Sequence, residues 1–169
     1  MALKFIVEDG TGVPDANVYL TTSEADDILA VEAGVSVWMA LDDEVKKRLL
    51  VLGTRYIEEK VTWFGDAVFP EAYLSFPRRG VKNRNGYLLA ETLIPREIKN
   101  VVARLALTFV NEDEASLSTI GIKKFHSDTL EIEFQSNYGG TVGPAWLAGA
   151  LRGIGYGPDQ RGGKRIIRK

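Results

Sequence analysis

The stretch IPREIKNVVARLALTFVN, residues 94–111, constrains the fold more than any other, because it sets Ile98, Val101, Val102, Leu105 and Phe109 on one broad helical stripe. A stripe that wide needs apolar cover from several sides, so it predicts a helix central to a helical core. Pro95 falls in the first turn, where the missing N–H is no loss. A second long helix is expected over LDDEVKKRLLVLGTRYIEEK, residues 41–60, with Val45, Leu49, Leu52 and Tyr56 at helical spacing and Asp42, Asp43 and Glu44 in its first turn. Gly53 costs that helix about 1 kcal/mol relative to Ala, which points to a close helix–helix contact there.

Between these helices lie about thirty residues, VTWFGDAVFPEAYLSFPRRGVKNRNGYLLAET, with Trp63, Phe64, Phe69, Tyr73 and Phe76 among Pro and Gly breakers. So long a connection belongs in a compact domain only if it packs through its own aromatics or meets a partner. Asn85-Gly86 marks a tight turn within it. Upstream, Leu3, Phe5 and Val7 alternate as in a half-buried strand, followed by turns at Asp9-Gly10 and Pro14-Asp15. Ser23 with Asp26 three places on resembles a capping box, giving a short helix over about 24–33 that Gly34 ends. Downstream, GIKKFHSDTLEIEF alternates Leu130, Ile132 and Phe134 with Glu131 and Glu133, a hairpin pattern. PAWLAGALR opens on Pro144 and reads as a last short helix. Nine of the 17 glycines lie between 139 and 163, and the end of the chain is expected to be disordered in isolation. The fold class expected is therefore mainly α, a small helical bundle with a β-hairpin and an extended C-terminal tail, divided as residues 1–151 and 152–169.

Charge is sorted by position. Residues 1–151 carry 15 Lys and Arg against 22 Asp and Glu, whereas residues 152–169 carry six against one. No 18-residue apolar run predicts a membrane span, and MALKFIVEDG lacks the basic flank and small-residue cleavage site of a signal peptide, so folding in a cytoplasm is expected. With no cysteine, disulfides and thiolate metal sites are excluded. With His126 alone, so are imidazole triads and multi-histidine metal sites within one chain. Asp26-Asp27, Asp42-Asp43-Glu44 and Glu58-Glu59 are neighbours that do not face each other on a helix, and they read as solvated faces. GGTVG and GIGYGP lack the spacing of a phosphate-binding loop. No enzyme activity, cofactor or metal is expected.

Two segments remain as binding candidates. Trp63, Phe64, Tyr73 and Phe76, with Arg78, Arg79, Lys82 and Arg84 nearby, either stack single-stranded bases or pack on the helices with the cations rimming a protein interface; packing is the commoner fate of such rings. In the tail, Arg161, Lys164, Arg165, Arg168 and Lys169 surround Ile166-Ile167, so the segment can meet phosphates or, through its apolar pair, strap onto a protein groove.

In order, VEDGTGVPDANVYLTTSEADDIL, TWFG, SFPRRGV, IPREIKNVVARLAL, GIKKFHSDTLEIEF and PAWLAGAL, spanning about residues 6–151, resemble phage head–tail connector (adaptor) proteins, including the group often labelled DnaT-like. Phe76 stands where that pattern has tryptophan before the proline. The resemblance implies a non-enzymatic virion protein of the head–tail neck, assembled in the host cytoplasm as a homo-oligomeric ring, typically of twelve. Its partners would be the portal, a tail or neck protein, and DNA passing through the channel without sequence-specific binding; no membrane is involved. On that basis Trp63, Phe64, Tyr73, Phe76, Arg78 and Arg79 are expected at the subunit interface, residues 161 and 164–168 with Lys169 on the portal, and Glu131 and Glu133 along the channel. The DnaT-like label implies the alternative, a single-stranded-DNA-binding replication accessory, which the acidic body opposes unless positive charge is focused in one groove.

Overall fold

The computed structural model describes residues 3–110 and 146–156. The protein is mainly α with a small β part. Helices α1 (Thr22–Leu29), α2 (Val35–Met39), α3 (Asp43–Lys60), α4 (Arg96–Phe109) and α5 (Trp146–Ala150) are joined by two antiparallel two-residue pairs. In these, β1 (Thr62–Trp63) pairs with β4 (Gly155–Tyr156), and β2 (Asp66–Ala67) pairs with β3 (Arg78–Arg79).

The stripe on α4 behaves as its spacing predicts: Ile98, Val101, Val102, Leu105 and Phe109 are all buried. Its neighbour α3 presents a face rotated from the expected one. Lys46, Leu50, Gly53 and Ile57 face inward, while Val45 and Leu52 are exposed. The rotation follows from two fits. A Cβ on Gly53 would lie 2.9 Å from the Val102 carbonyl oxygen, so glycine lets α3 close onto α4. Lys46 is buried with its charge met: its Nζ lies 2.9 Å from Asp26 Oδ1, which also accepts the Trp38 indole N–H at 2.7 Å.

Helix α1 starts two residues earlier than expected because Thr21, not Ser23, is the cap. Glu24 N donates to Thr21 Oγ1 at 3.2 Å and Thr21 N donates to Glu24 Oε2 at 2.8 Å, a reciprocal capping box. The helix ends at Leu29, and Gly34 (φ +83°) instead leads into α2. No strand forms at residues 3–7; Val7 makes a single parallel bridge to Val18. The residue after it, Glu8, is buried, and its carboxylate accepts the backbone N–H groups of Gly10, Gly12 and Val13 at 2.8–2.9 Å. That carboxylate shapes the EDGTGV loop, whose Gly10 and Gly12 close onto Thr92 and the Phe69 ring.

Residues 152–156, assigned above to the tail, belong to the body: Ile154 is buried and β4 is paired. The expected hairpin at 121–134, and Pro144 at the head of the last helix, lie outside the described residues.

Candidate nucleic-acid interface

Acid dominates the first 60 residues, with six Lys and Arg against twelve Asp and Glu, whereas residues 61–110 carry seven against four. Within the latter, residues 72–90 hold Arg78, Arg79, Lys82 and Arg84 and no carboxylate. The positive charge that a nucleic acid needs is thus gathered on the connection between α3 and α4 and on Arg152 beside it.

The four cations do different jobs. Arg78 is occupied by the fold: its guanidinium donates to the carbonyls of Phe64, Gly65 and Ser75, which holds the turn between β1 and β2. Gly65 is required in that turn, since it sits at φ +69° and a Cβ would fall 2.1 Å from the Arg79 carbonyl oxygen. Arg79 is paired with Glu91 at 3.0 Å, with both side chains more than half exposed. Lys82 and Arg84 are exposed and make no ion pair among the described residues.

The ring residues divide evenly between core and surface. Phe76 is 1% exposed and meets Trp63 edge-on at 5.2 Å between centroids, so this pair packs, as rings in such connections commonly do. Trp63 Nε1 is buried without a partner in the described structure. Phe64 and Tyr73 are instead 42% and 78% exposed. Phe64 stacks obliquely on Tyr156 at 5.6 Å, while Tyr73 stands elsewhere, on the rim of a groove of about 410 Å³ along α3 with Val51, Thr54 and Leu74. Of the six residues expected at an interface, then, Phe64, Tyr73 and Arg79 offer exposed side chains, while Trp63, Phe76 and Arg78 serve mainly to build the connection.

Sequence reasoning missed Tyr87, 72% exposed, and Tyr156. Tyr87 directly follows the Asn85-Gly86 turn, where an aromatic has little chance of burial; that position was the available signal. Tyr156 sits in GIGYG, read as tail, and only the β1–β4 pairing reveals its place.

Two polar features nearby are structural. Glu58 accepts the Tyr19 hydroxyl at 2.6 Å and the Ser75 N–H at 3.0 Å, and Tyr19 in turn accepts the Phe76 N–H at 3.1 Å, so the cluster pins the connection to α3. Burial and the Glu58 carboxylate push the Tyr19 phenol well above its ordinary range, which keeps it a hydrogen-bond donor at any physiological pH. A concavity of about 430 Å³ gathers Arg84, Arg96 and Arg104 with Asp27, Glu32 and Glu97, so its formal charges cancel. Among the described residues no group of three or more His, Asp or Glu could hold a metal, and no helix is long and apolar enough to cross a membrane. The tail residues Arg161, Lys164, Arg165, Ile166, Ile167, Arg168 and Lys169, and Glu131 and Glu133, lie outside the described residues.

A mainly helical body carrying a basic, partly aromatic connection is the setting for the family comparison. Residues 3–169 match the family described as "Putative DnaT-like ssDNA binding protein", and the chain belongs to that family. The match carries the DnaT-like part of the resemblance seen in the motifs, and not the head–tail connector part. No curated protein and no solved structure matches the chain.

Proposed function

We propose that the protein binds single-stranded DNA without sequence preference, as an accessory to replication, and uses the connection between α3 and α4 to do so. The observation that supports this is the gathering of charge: an acid-free run from 72 to 90 with four cations and the exposed ring of Tyr87, in a chain of a family described as single-stranded-DNA binding. An acidic body opposes DNA binding only where its charge faces the strand, and here the acid is concentrated in the first 60 residues. Anisotropy of a labelled oligothymidine tests the reading. Retention at physiological salt with affinity falling steeply as salt rises is the expected result, and no retention at about 50 mM salt overturns it.

A second reading, a head–tail adaptor ring, draws on a different observation. Val31, Val37, Met39 and Val45 are 89%, 42%, 47% and 37% exposed, an apolar series on the acidic half that suits contact between copies. In that reading the tail from Arg161 to Lys169 docks on the portal, and Glu131 and Glu133 face passing DNA. The mass of the protein with a portal decides: a ring-sized complex supports it, and no co-assembly counts against it.

A further inference from the structure

We infer that a single strand follows one defined track, from the hairpin at 82–88 along residues 152–156 to the Phe64–Tyr156 ring pair, with bases stacking on Tyr87 and on the ring pair. Lys82, Arg84 and Arg152 contact the phosphates. This rests on the single-stranded-DNA reading above and adds to it a site, a direction of travel over the surface and a division of labour among residues.

The hairpin is ordered before any ligand arrives. Lys82 bridges Leu88, and Asn83 N donates to Tyr87 O at 2.9 Å. The Asn83 carboxamide oxygen accepts the N–H groups of Asn85 and Tyr87 at 3.0 and 3.1 Å. Gly86, at φ +87°, closes the turn with open space around it. Fixing the loop in advance lowers the entropy lost on binding, which is what a stacking platform requires. From it project Arg84, Tyr87 and Leu88, the last two 72% and 68% exposed.

The hairpin and the ring pair are physically joined. Gly153, at φ +99°, rests on the Asn83–Arg84 backbone, where a Cβ would come within 3.1 Å of the Arg84 nitrogen. Next along the chain, Ile154 O accepts the Phe64 N–H at 3.0 Å, and Tyr156 is the register partner of Thr62. Residues 152–156 therefore run from one platform to the other, first as a turn in which Ile154 N and Gly155 N both donate to Leu151 O at 3.1 Å, then as the paired strand β4.

The cations along the track differ from those beside it. Arg152, like Lys82 and Arg84, is exposed and makes no ion pair among the described residues, although Arg84 also borders the concavity that holds Asp27, Glu32 and Glu97; Arg78 is committed to three carbonyls and Arg79 to Glu91. Exposed rings alternating with uncommitted cations suit unpaired bases, whose faces are open to stacking irrespective of sequence; a duplex keeps those faces covered.

The experiment uses the full chain and a labelled oligothymidine. Tyr87→Ala and Phe64→Ala are each expected to weaken binding about fivefold or more, while Tyr73→Ala, an exposed ring on the α3 groove, leaves it within twofold. Lys82→Gln with Arg84→Gln is expected to flatten the log–log salt slope by about 1.4, two contacts at about 0.7 each. Photocrosslinking of wild type to bromodeoxyuridine-substituted strands is expected at 82–88 and at 62–64 or 152–156, which keeps the test independent of variant folding. Wild type that binds while both ring variants stay within twofold, or that crosslinks only elsewhere, overturns the track and leaves the general reading standing. Wild type that does not bind overturns both.

Discussion

The helical core and the connection that spans residues 61–91 are stabilised in different ways. Helices α1, α3 and α4 meet through fully buried aliphatic side chains, with Leu29, Leu50, Ile57, Ile98, Val102 and Leu105 all at 0% exposure. The connection has few such residues and is instead tied down by directed hydrogen bonds, namely Arg78 on three carbonyls, Glu58 on Tyr19 and Ser75, and Asn83 within its own turn. Burial is non-directional and tolerates small shifts, whereas a backbone held by side-chain hydrogen bonds is fixed in place but opens locally when one bond is lost. A binding surface built the second way can present rings and cations that a self-burying core would have withdrawn from solvent.

The largest test of the contrast is in the core. Leu105→Ala removes a fully buried side chain next to Gly53 and is expected to lower unfolding free energy by about 2–5 kcal/mol, read by urea titration. A loss that appears only as local hydrogen exchange would break the distinction drawn here. In the connection, Arg78→Lys keeps the charge but cannot span three carbonyls, and is expected to cost about 1–2 kcal/mol. Its signature is raised exchange at residues 64–79 with protection in α3 and α4 retained.

Much of the core was legible in sequence, because α4 buries the residues its periodicity marks and Gly53 makes the close contact its placement suggested. The face of α3 was not, since Lys46 counts as polar in any pattern and its burial depends on Asp26 and Trp38 from other elements. Glu8 was hidden for the same reason: in an acidic stretch it looks solvated, yet three loop N–H groups require its carboxylate inside. At the candidate site, composition marked out the connection but could not divide its rings. Trp63 and Phe64 are adjacent in sequence, and only the β1–β4 pairing decides that one packs on Phe76 and the other meets Tyr156.

A smaller effect tests whether hydrogen bonding matters equally inside the core. Thr54 is fully buried on α3, and its hydroxyl has no partner in the described structure. Thr54→Val removes the unpaired hydroxyl at similar volume and is expected to raise stability by about 1 kcal/mol, where most buried substitutions lower it. A clear loss in thermal unfolding would mean that the hydroxyl is satisfied in solution, and that the core leans on directed bonds as the connection does.

The smallest effect comes from an ion pair that joins α1 to α4. Lys99 Nζ lies 2.6 Å from Glu24 Oε1, with the two side chains 26% and 41% exposed. Burial alone would raise the Glu24 carboxyl, but the Lys99 ammonium and the Thr21 N–H outweigh it and hold the acid below its ordinary value. A carboxyl depressed in the fold contributes stability that is present above its unfolded pKa and is lost as pH falls through the folded one. The stability gap between wild type and Lys99→Met should therefore be about 0.2–1 kcal/mol at pH 7, given its partial exposure, and should close as the solution is acidified below the ordinary glutamate range. Comparing the two proteins by urea titration at pH 7 and near pH 3 cancels the other carboxylates, which titrate in both. A gap that persists at low pH would assign the role of Lys99 to its aliphatic stem packing between the helices, and the α1–α4 contact would then be held by burial alone, like the rest of the core.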